Sequence, residues 1–363
     1  MPLRALGGLT AQQFLRRHWQ KKPLLVRGAL PRLPGGVTRA RLAALAARAD
    51  VESRLVRRRG ARWNVVHGPL QCTTLQRNST LLVSGVELHV AAAARLLEAF
   101  SFLPRARLDD VMVSWAAPGG GVGPHVDSYD VFLVQGEGRR VWRLEPPRNF
   151  ALVPDAPLRL IADFSPDEEL LAEPGDLLYL PPGWGHEGVA LEDCLTYSIG
   201  LRAPQGQELP AAFLDYLHER GLPEARYRDP DLQPARRRAE IPPQLLHHAA
   251  ALLERIRWRR ADVSEFLGRT LTTPKPHVVF RHPRRPLSRT AFARRLRRAR
   301  VALDARTQML TLGPRCFVNG ESLPATPALR ALADLRRGAL PRALAQRAYD
   351  WYLSGYLHLE RGP

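Results

Sequence analysis

The sequence predicts a mainly β core with α-helices, in which the β part is a sandwich or a small barrel. Between residues 108 and 204, short apolar runs alternate with Gly and Pro turns, as in antiparallel folds. Two of these runs, 131–135 and 139–144, flank Gly136-Glu137-Gly138 and form a recognisable hairpin. Before and after this region, segments rich in Ala, Leu and Arg have helical character instead.

The N-terminal part contains three predicted helices. Thr10 and Thr38 are suitable N-caps for helices at about 10–20 and 38–49, because their hydroxyls can accept from free backbone N–H groups of the first turn. A third, Ala/Leu-rich helix covers 88–100. Short strands are predicted at 23–26, 64–66, 81–83, 111–115, 176–180 and 195–201.

Beyond residue 204 the chain is predicted to turn helical. The expected elements are helices at 207–220 and 243–258, a linker at 274–286, a very basic helix at 288–300, and strands at 309–312 and 316–318. Helix, strand, turn and strand in this order are compatible with a small winged-helix-like module. The predicted domains are 1–205, a core with N-terminal helices; 206–273, a helical region; and 274–363, a winged-helix-like C-terminal domain.

Composition excludes several classes of protein. The chain has 363 residues, 45% hydrophobic and 25% charged, which is ordinary for a globular protein that buries a core without cross-links. Its three cysteines are far apart and show no CxxC spacing, which argues against a zinc ribbon, a redox motif or a disulfide framework. No secretory signal and no apolar stretch of membrane-spanning length is present. We therefore expect a cytoplasmic protein with no membrane partner.

Positive charge is concentrated in one part of the chain. The formal net charge is +19, and residues 236–300 contain 18 basic against four acidic residues. Such a stretch attracts polyanions, of which nucleic acid is the commonest. The alternative is a solvated face on a generally basic protein. We expect contact with an RNA-rich partner through 236–300 if the basic stretch is functional.

Pro124-His125-Val126-Asp127 carries the first candidate metal ligands. Residues i and i+2 of a strand point to the same face, so His125 and Asp127 project together. A second histidine, His186, lies 59 positions after Asp127, just beyond a predicted strand and turn. Two imidazoles and one carboxylate leave three positions open on an octahedral metal, the arrangement expected for non-haem iron(II) that binds a co-substrate together with dioxygen.

Arg140 is the first candidate for binding an acidic co-substrate. It lies on the second arm of the hairpin that follows Asp127, and its guanidinium can pair with the distal carboxylate of a keto diacid in a bidentate manner. Arg139 and Arg143 are neighbours that could serve instead. Position along the chain does not decide among the three arginines.

Around these residues the sequence resembles the bacterial ribosomal oxygenases of the JmjC cupin class. The matching segments are 19–28, 114–127, 129–143, 173–188 and 197–204. They are far longer than an HxD pair and correspondingly more specific. The resemblance covers residues 10–204 well and the C-terminal region more loosely.

The resemblance implies a double-stranded β-helix core and a set of functional residues. His125, Asp127 and His186 match the iron ligands, which are also the catalytic centre, and Arg140 matches the residue that binds the distal carboxylate of 2-oxoglutarate. Ser114 and Ser198 lie on strands expected to line the same pocket. The chain departs from close relatives that carry Ser at the position of Ala116, so the contribution of that hydroxyl is in doubt.

The resemblance also implies a function and partners. The expected activity is Fe(II)- and 2-oxoglutarate-dependent hydroxylation, with O2, of an arginine side chain in a large-subunit ribosomal protein. The helical region 206–273 would mediate homodimerisation. Asp130, Tyr129 and Glu187 are candidates for contacting a cationic substrate near the mouth of the pocket.

Three alternatives stay open from the sequence. The target residue could be a histidine, as in related ribosomal oxygenases. The protein could be a non-redox cupin, such as a metal-dependent isomerase, although that hypothesis leaves Arg140 unexplained. It could also be a nucleic-acid-binding regulator in which the cupin only senses a ligand, which the basic stretch and the predicted winged-helix-like domain favour.

Overall fold

The computed structural model describes residues 6–30, 36–203, 206–234 and 237–360. The ends of the predicted domains at 1–5, 204–205 and 361–363, and Arg236 of the basic stretch, lie outside the described residues. The described α-helices are α1 (Ala11–Arg17), α2 (Arg39–Ala46), α3 (Ala91–Leu97), α4 (Glu208–Glu219), α5 (Pro243–Glu254), α6 (Arg260–Thr272), α7 (Arg289–Leu296), α8 (Pro327–Leu335) and α9 (Ala345–Leu353). Short 3-10 helices are Val86–Leu88, Glu98–Phe100, Arg105–Arg107 and Arg342–Leu344.

The strands are short, as the spacing of turn residues predicts. Those of the N-terminal two thirds are β1 (Leu24–Val26), β2 (Ser53–Arg59), β3 (Arg62–His67), β4 (Ser79–Val83), β5 (Leu108–Ala116), β6 (His125–Val126), β7 (Val131–Glu137), β8 (Arg140–Glu145), β9 (Glu168–Ala172), β10 (Leu177–Leu180), β11 (Gly185–Ala190) and β12 (Cys194–Leu201). The others are β13 (Val301–Leu303), β14 (Met309–Leu312), β15 (Arg315–Val318), β16 (Glu321–Pro324), β17 (Arg337–Gly338) and β18 (Leu357–Leu359).

Two antiparallel sheets form the core. The larger has eight strands in the order β1-β10-β7-β12-β5-β4-β2-β3, and the smaller has four in the order β6-β11-β8-β9. Side chains of both sheets meet in one buried cluster that includes Leu133 and Leu178 of the large sheet and Trp142 and Leu144 of the small one. The predicted sandwich-like β core is therefore present. The hairpin predicted at 131–135 and 139–144 is wrong, because β7 pairs with β10 and β12 in the large sheet whereas β8 pairs with β11 and β9 in the small one, so the turn between them connects the two sheets.

The N-terminal helices cover the other face of the large sheet. Alternate side chains of β5, such as Val111 and Val113, pack with Phe14 of α1 and Leu42 of α2 in the main apolar core. Helices α1 and α2 begin where the sequence predicts, since Thr10 and Thr38 accept hydrogen bonds from the first turns. One face of each central strand is thereby buried against helices, and the other face is left for the interior between the sheets.

The chain divides into two compact units. The first comprises 1–203, 274–307 and 336–363, and the second comprises 204–273 and 308–335. In the second unit, α6 packs on the three-stranded sheet β14-β15-β16. In the first unit, α7 packs against α9, and β13 lies between β17 and β18.

This division groups the C-terminal elements differently from the predicted domains. The basic helix expected at 288–300 ends at Leu296 and belongs to the first unit, whereas the strands expected beside it, β14 and β15, belong to the second. Helix α6 was missed because its apolar positions are sparse, and β13 begins at Val301, directly after the last residue expected in the basic helix. The winged-helix-like domain at 274–363 stays a prediction.

Candidate active site

The three predicted metal ligands lie together between the sheets. His125 on β6 is paired directly across the strand ladder with His186 on β11, and Asp127 follows β6 by one residue. The ligand atoms of the three side chains all lie within 4.8 Å of one another. The antiparallel pairing of β6 with β11 thus brings together two histidines that are far apart in the chain.

Both imidazoles are oriented by main-chain carbonyl groups. Nδ1 of His125 lies 2.9 Å from the carbonyl oxygen of Gly123, and Nδ1 of His186 lies 3.0 Å from that of Trp184. A carbonyl oxygen only accepts, so these contacts place the proton on Nδ1 and leave each Nε2 with a lone pair. Hydrogen bonding of the second ring nitrogen is the usual way in which a protein orients a metal-binding histidine.

Charge and burial at this point favour a neutral imidazole. Burial lowers the pKa of His186 to about 4, and the adjacent His125 ring is the second cause. Nε2 of His186 is 3.7 Å from an oxygen of Asp127. A neutral imidazole beside a carboxylate is the state required of a metal ligand, because the ion takes the place of the proton. The donor set therefore fits a divalent transition metal with open coordination positions.

A cavity of about 250 Å³ extends from the three ligands between the two sheets. Its walls come from alternate residues of the large sheet, including Leu82, Met112 and Leu133, and from Trp142 of the small sheet. These are the residues on the opposite strand faces to those that pack under the N-terminal helices. The cavity is large enough for a small co-substrate and the end of a substrate side chain.

Arg140 lines the cavity, whereas its two neighbours do not. Strand β8 directs Arg140, which is 5% exposed, to the interior, and Arg139 and Arg143 form ion pairs outside it. Within the described part of the chain, no acidic side chain pairs with Arg140, and its Nε has no hydrogen-bond partner. One Nη contacts Cys194 Sγ at 3.5 Å. A buried cation without a counter-ion is costly, and the cost is removed when an anionic ligand binds.

Hydroxyl groups surround the inner end of the cavity. Ser114 and Ser198 both line the cavity, as the resemblance implies, and Ser114 is hydrogen-bonded to the carbonyl of Thr196 at 3.5 Å. Thr80 on β4, which sequence analysis missed, also lines it, is 1% exposed, and has a hydroxyl without a partner. Thr80 pairs across the sheet with Ala116, so a hydroxyl is present one strand away from the position where Ser is absent.

The mouth of the cavity carries charges of both signs. Glu52 and Asp110 are its acidic groups, and Arg54 and Lys275 are its basic ones. Lys275 is paired with Asp109 at 3.1 Å, whereas Asp110 accepts a hydrogen bond from the backbone N–H of Gly85 at 3.2 Å. Burial raises the pKa of Asp110, and the adjacent Asp109 raises it further.

Of the three residues predicted to contact a cationic substrate, only Tyr129 lines the cavity. Burial raises the pKa of the Tyr129 phenol, and Asp127 raises it further. Asp130 is fully buried elsewhere, where it accepts hydrogen bonds from Tyr179 (2.6 Å), Gln20 (3.0 Å) and Arg107. Glu187 points away from its neighbour His186 along β11 and pairs with Arg143. Strand alternation is the reason that adjacent residues in the chain have separate roles.

Similarity to known proteins shows to which family the chain belongs. Residues 95–209 match the family described as the JmjC domain. The chain is 36% identical to the ribosomal protein uL16 3-hydroxylase of Escherichia coli over 329 residues, 88% of both chains. It is 39% identical to a probable ribosomal oxygenase of Haemophilus influenzae over 206 residues, covering 54% of this chain and 50% of the relative. This chain belongs to the JmjC-type ribosomal oxygenases.

Solved structures agree with that assignment over nearly the whole chain. The X-ray structure of E. coli YcfD superposes with a TM-score of 0.84 and 32% identity, covering 97% of this chain and 98% of that one. The structure of E. coli YcfD, a ribosomal oxygenase, in complex with cobalt and 2-oxoglutarate has a TM-score of 0.82 and 32% identity, covering 97% and 99%. The predicted mainly β JmjC cupin fold is confirmed.

This ribosomal oxygenase is a 2-oxoglutarate-dependent enzyme, as the sequence predicts. In the described residues, no helix is long and apolar enough to cross a membrane. The structure brings His125, Asp127, His186, Arg140, Ser114 and Ser198 to one cavity. The cavity residues that sequence analysis missed, among them Thr80 and Asp110, have no local motif that would mark them.

Proposed function

We propose that this protein is an Fe(II)- and 2-oxoglutarate-dependent hydroxylase of an arginine side chain in a large-subunit ribosomal protein. The observation that carries the proposal is the cavity, in which the His125, Asp127 and His186 cluster and the unpaired cation of Arg140 face the same interior. The E. coli relative is named for hydroxylation of ribosomal protein uL16. That name supports a ribosomal protein substrate for this chain as well.

In this proposal, His125, Asp127 and His186 hold the metal. Arg140 binds the distal carboxylate of 2-oxoglutarate, which supplies the counter-ion that the guanidinium lacks. Thr80 donates its otherwise unpartnered hydroxyl to the same carboxylate. Ser114 and Ser198 complete the polar wall of the pocket.

The chemistry that iron, 2-oxoglutarate and O2 supply together is insertion of oxygen into an unactivated carbon–hydrogen bond, with succinate and carbon dioxide as the other products. The chain itself contributes orientation and exclusion of water. Trp142, Leu133 and Met112 provide apolar walls that hold the aliphatic part of a side chain beside the metal ligands. The Nδ1 contacts of His125 and His186 keep the ligand nitrogens directed at the ion.

The mouth favours a cationic target over a neutral or anionic one. Asp110 is a partly buried carboxylate on the cavity wall that accepts from the Gly85 N–H, and burial raises its pKa. An arginine guanidinium placed beside it would stabilise its ionised form and gain a bidentate partner. Lys275 does not serve as the counter-ion of Asp110, because it is paired with Asp109. These features favour arginine over histidine as the substrate side chain.

We also propose that the helical region 206–273 mediates homodimerisation. Helix α5 leaves Leu246 and Leu253 exposed at 69% and 66% of their surface, on a helix with no fully buried side chain. Such an apolar face requires cover in an assembled protein. A second copy of the same face is the simplest cover, since homodimers are most often two-fold symmetric.

The basic stretch 236–300 is proposed to contact ribosomal RNA in the cytoplasm, where its protein substrate would be. Arg294, Arg295, Arg297 and Arg298 are exposed at the end of α7. Reversing these charges should weaken association with ribosomes in a salt-dependent manner. Unchanged association in a cosedimentation assay would contradict this contact.

Turnover of 2-oxoglutarate with iron(II), in the presence of a ribosomal protein fragment, tests the proposed function. The wild type should form succinate only with substrate present, and mass spectrometry should find an oxygen atom added to an arginine. His125→Ala should remove both signals. Hydroxylation of a histidine would correct the target. A metal-dependent product without succinate would indicate the non-redox cupin, and sequence-selective duplex binding without turnover would indicate the regulator.

A further inference from the structure

The β2–β3 hairpin at the edge of the large sheet is unusually basic. Arg57, Arg58, Arg59 and Arg62 are all exposed, and Arg77 is exposed just before β4, the strand next to β2. No aspartate or glutamate occurs between Glu52 and Glu87 in the sequence. We refer to Arg57, Arg58, Arg59, Arg62 and Arg77 as the hairpin arginines.

The hairpin arginines are not neutralised by the protein. Among the described residues, none of them forms an ion pair, whereas some exposed arginines elsewhere on the core do, for example Arg139 with Glu192 and Arg148 with Asp163. Charged side chains do protect an edge strand from pairing with another sheet. That protection is independent of sign, so it does not account for a patch that is positive throughout.

The patch is ordered and borders the mouth of the cavity. The guanidinium of Arg58 stands over the Trp63 ring at 5.7 Å, which reduces the conformational entropy that Arg58 loses on binding. The same Trp63 ring packs against Gly123, whose carbonyl orients the metal ligand His125. On β2, Arg54 lines the cavity itself. The ribbon therefore continues from the cavity wall at Arg54, with Arg58 on the cavity face of β2 and Arg57 and Arg59 on its other face.

We propose that the hairpin arginines bind the phosphate backbone of RNA next to the cavity mouth. Guanidinium groups pair with phosphates in a bidentate geometry, and several unpaired ones on a protruding two-stranded ribbon form a polyanion site. The choice of RNA rests on the proposed function, because a ribosomal protein is presented among RNA. A basic ribosomal protein segment would be repelled by this patch, whereas RNA that flanks it would be attracted.

The hairpin arginines are distinct from the basic stretch 236–300. In this proposal, RNA lies beside the cavity in which the substrate side chain reacts. RNA on the hairpin would hold the assembly in position while a side chain of the bound protein enters the cavity. The hairpin arginines would then raise the affinity for a protein–RNA substrate but not for a free peptide.

Binding of a labelled single-stranded RNA of about 16 nucleotides, followed by fluorescence anisotropy, tests this proposal. The variant Arg58→Gln/Arg59→Gln/Arg62→Gln removes three charges from the patch. Its Kd for RNA should rise about tenfold or more, and the slope of log affinity against log salt between about 50 and 200 mM should decrease by about 2. The matched control, Arg16→Gln/Arg17→Gln/Arg41→Gln, removes three exposed charges elsewhere in the first unit and should change both quantities less.

Two further measurements separate this proposal from the proposed function. Succinate formation with a short peptide should be equal in the triple variant and the wild type, because no hairpin arginine in that variant lines the cavity. Equal loss of RNA binding in the variant and its control would overturn the hairpin surface, whatever the enzyme hydroxylates. Binding of a polyglutamate peptide, but not RNA, through the hairpin arginines would also overturn it.

Discussion

The inner end and the mouth of the cavity have opposite electrostatic character. At the inner end, the Arg140 guanidinium and the Thr80 hydroxyl are buried and lack partners for one polar atom each. At the mouth, Asp110 and Glu52 provide negative charge, Arg54 provides positive charge, and Lys275 is paired with Asp109. The inner end is therefore a receptor for an anion, whereas the mouth offers a cation the carboxylate of Asp110.

This difference in charge shows how one cavity can bind the co-substrate at one end and the substrate side chain at the other. A dicarboxylate co-substrate would be repelled by Asp110 and stabilised by Arg140, and a guanidinium would have the opposite preference. The candidate metal ligands line the same cavity, on β11 and on and directly after β6. The two ends can be altered separately through Arg140 and Thr80, which lie on β8 and β4, and Asp110, which lies on β5.

Replacement of Arg140 with Met should have the largest effect. We expect the Kd for 2-oxoglutarate, measured calorimetrically on cobalt-loaded protein, to rise at least about 100-fold, since charge-assisted hydrogen bonds are lost. The melting temperature without ligand should stay equal or rise, because an unpaired buried cation is removed. Arg139→Met, at an exposed ion pair, is the control. A lower melting temperature with unchanged binding would give Arg140 a structural role.

Asp110→Asn should affect the mouth alone. We expect kcat/KM for an arginine peptide to fall about 10- to 100-fold, because a charge-assisted pair becomes a neutral hydrogen bond. The Kd for 2-oxoglutarate should not change. Asp109→Asn, which removes a carboxylate already paired with Lys275 and Arg202, should have a smaller effect. Equal decreases of kcat/KM in the two variants would mean that the net charge of the mouth, and not a direct contact with Asp110, favours the arginine peptide.

Thr80→Val should weaken 2-oxoglutarate binding about fivefold, the effect of one hydrogen bond. The shape of the side chain is retained, and no existing hydrogen bond of the protein is broken. Thr80→Ser should restore the wild-type affinity. If the Thr80→Val variant and the wild type bind 2-oxoglutarate equally, Thr80 does not contact the co-substrate, and Arg140 and the serines bind it alone.

Glu87→Gln should have the smallest effect on activity and should instead change the pH dependence of stability. Burial raises the pKa of Glu87 from 4.5 to about 8, and Asp110 is the second cause. The folded state therefore holds a proton that the unfolded state releases between these values. The free energy of unfolding should fall as pH rises from about 4.5 to 8. The variant, which can still accept from the Val111 N–H, should lack this decline in denaturant titrations.

Much of the site could be predicted before the fold was known. The HxD spacing on a strand predicts that His125 and Asp127 share a face, and the pairing of β8 with β11 brings Arg140 into the sheet that carries His186. The strand pattern left Arg140, Arg139 and Arg143 open, and the family resemblance selected Arg140. The structure adds the physical reason, since Arg140 faces the interior and the other two lie outside it. Asp130 was a wrong candidate for the mouth, since its carboxylate is buried among Tyr179, Gln20 and Arg107.

The sequence by itself therefore determined that the core is built of short strands, where the first two helices begin, and the family, and it selected the three candidate metal ligands. These depend on interactions between residues close in the chain, or on motifs long enough to be specific. Only the tertiary structure decided that Thr80, Asp110 and Lys275 surround one cavity and that the β2–β3 hairpin continues from Arg54 on its wall. Their positions depend on the pairing order β12-β5-β4-β2-β3 and on a segment from residue 274 onward joining the first unit. Long-range strand pairing and chain return bring together residues with no common periodicity, so no local pattern could reveal them.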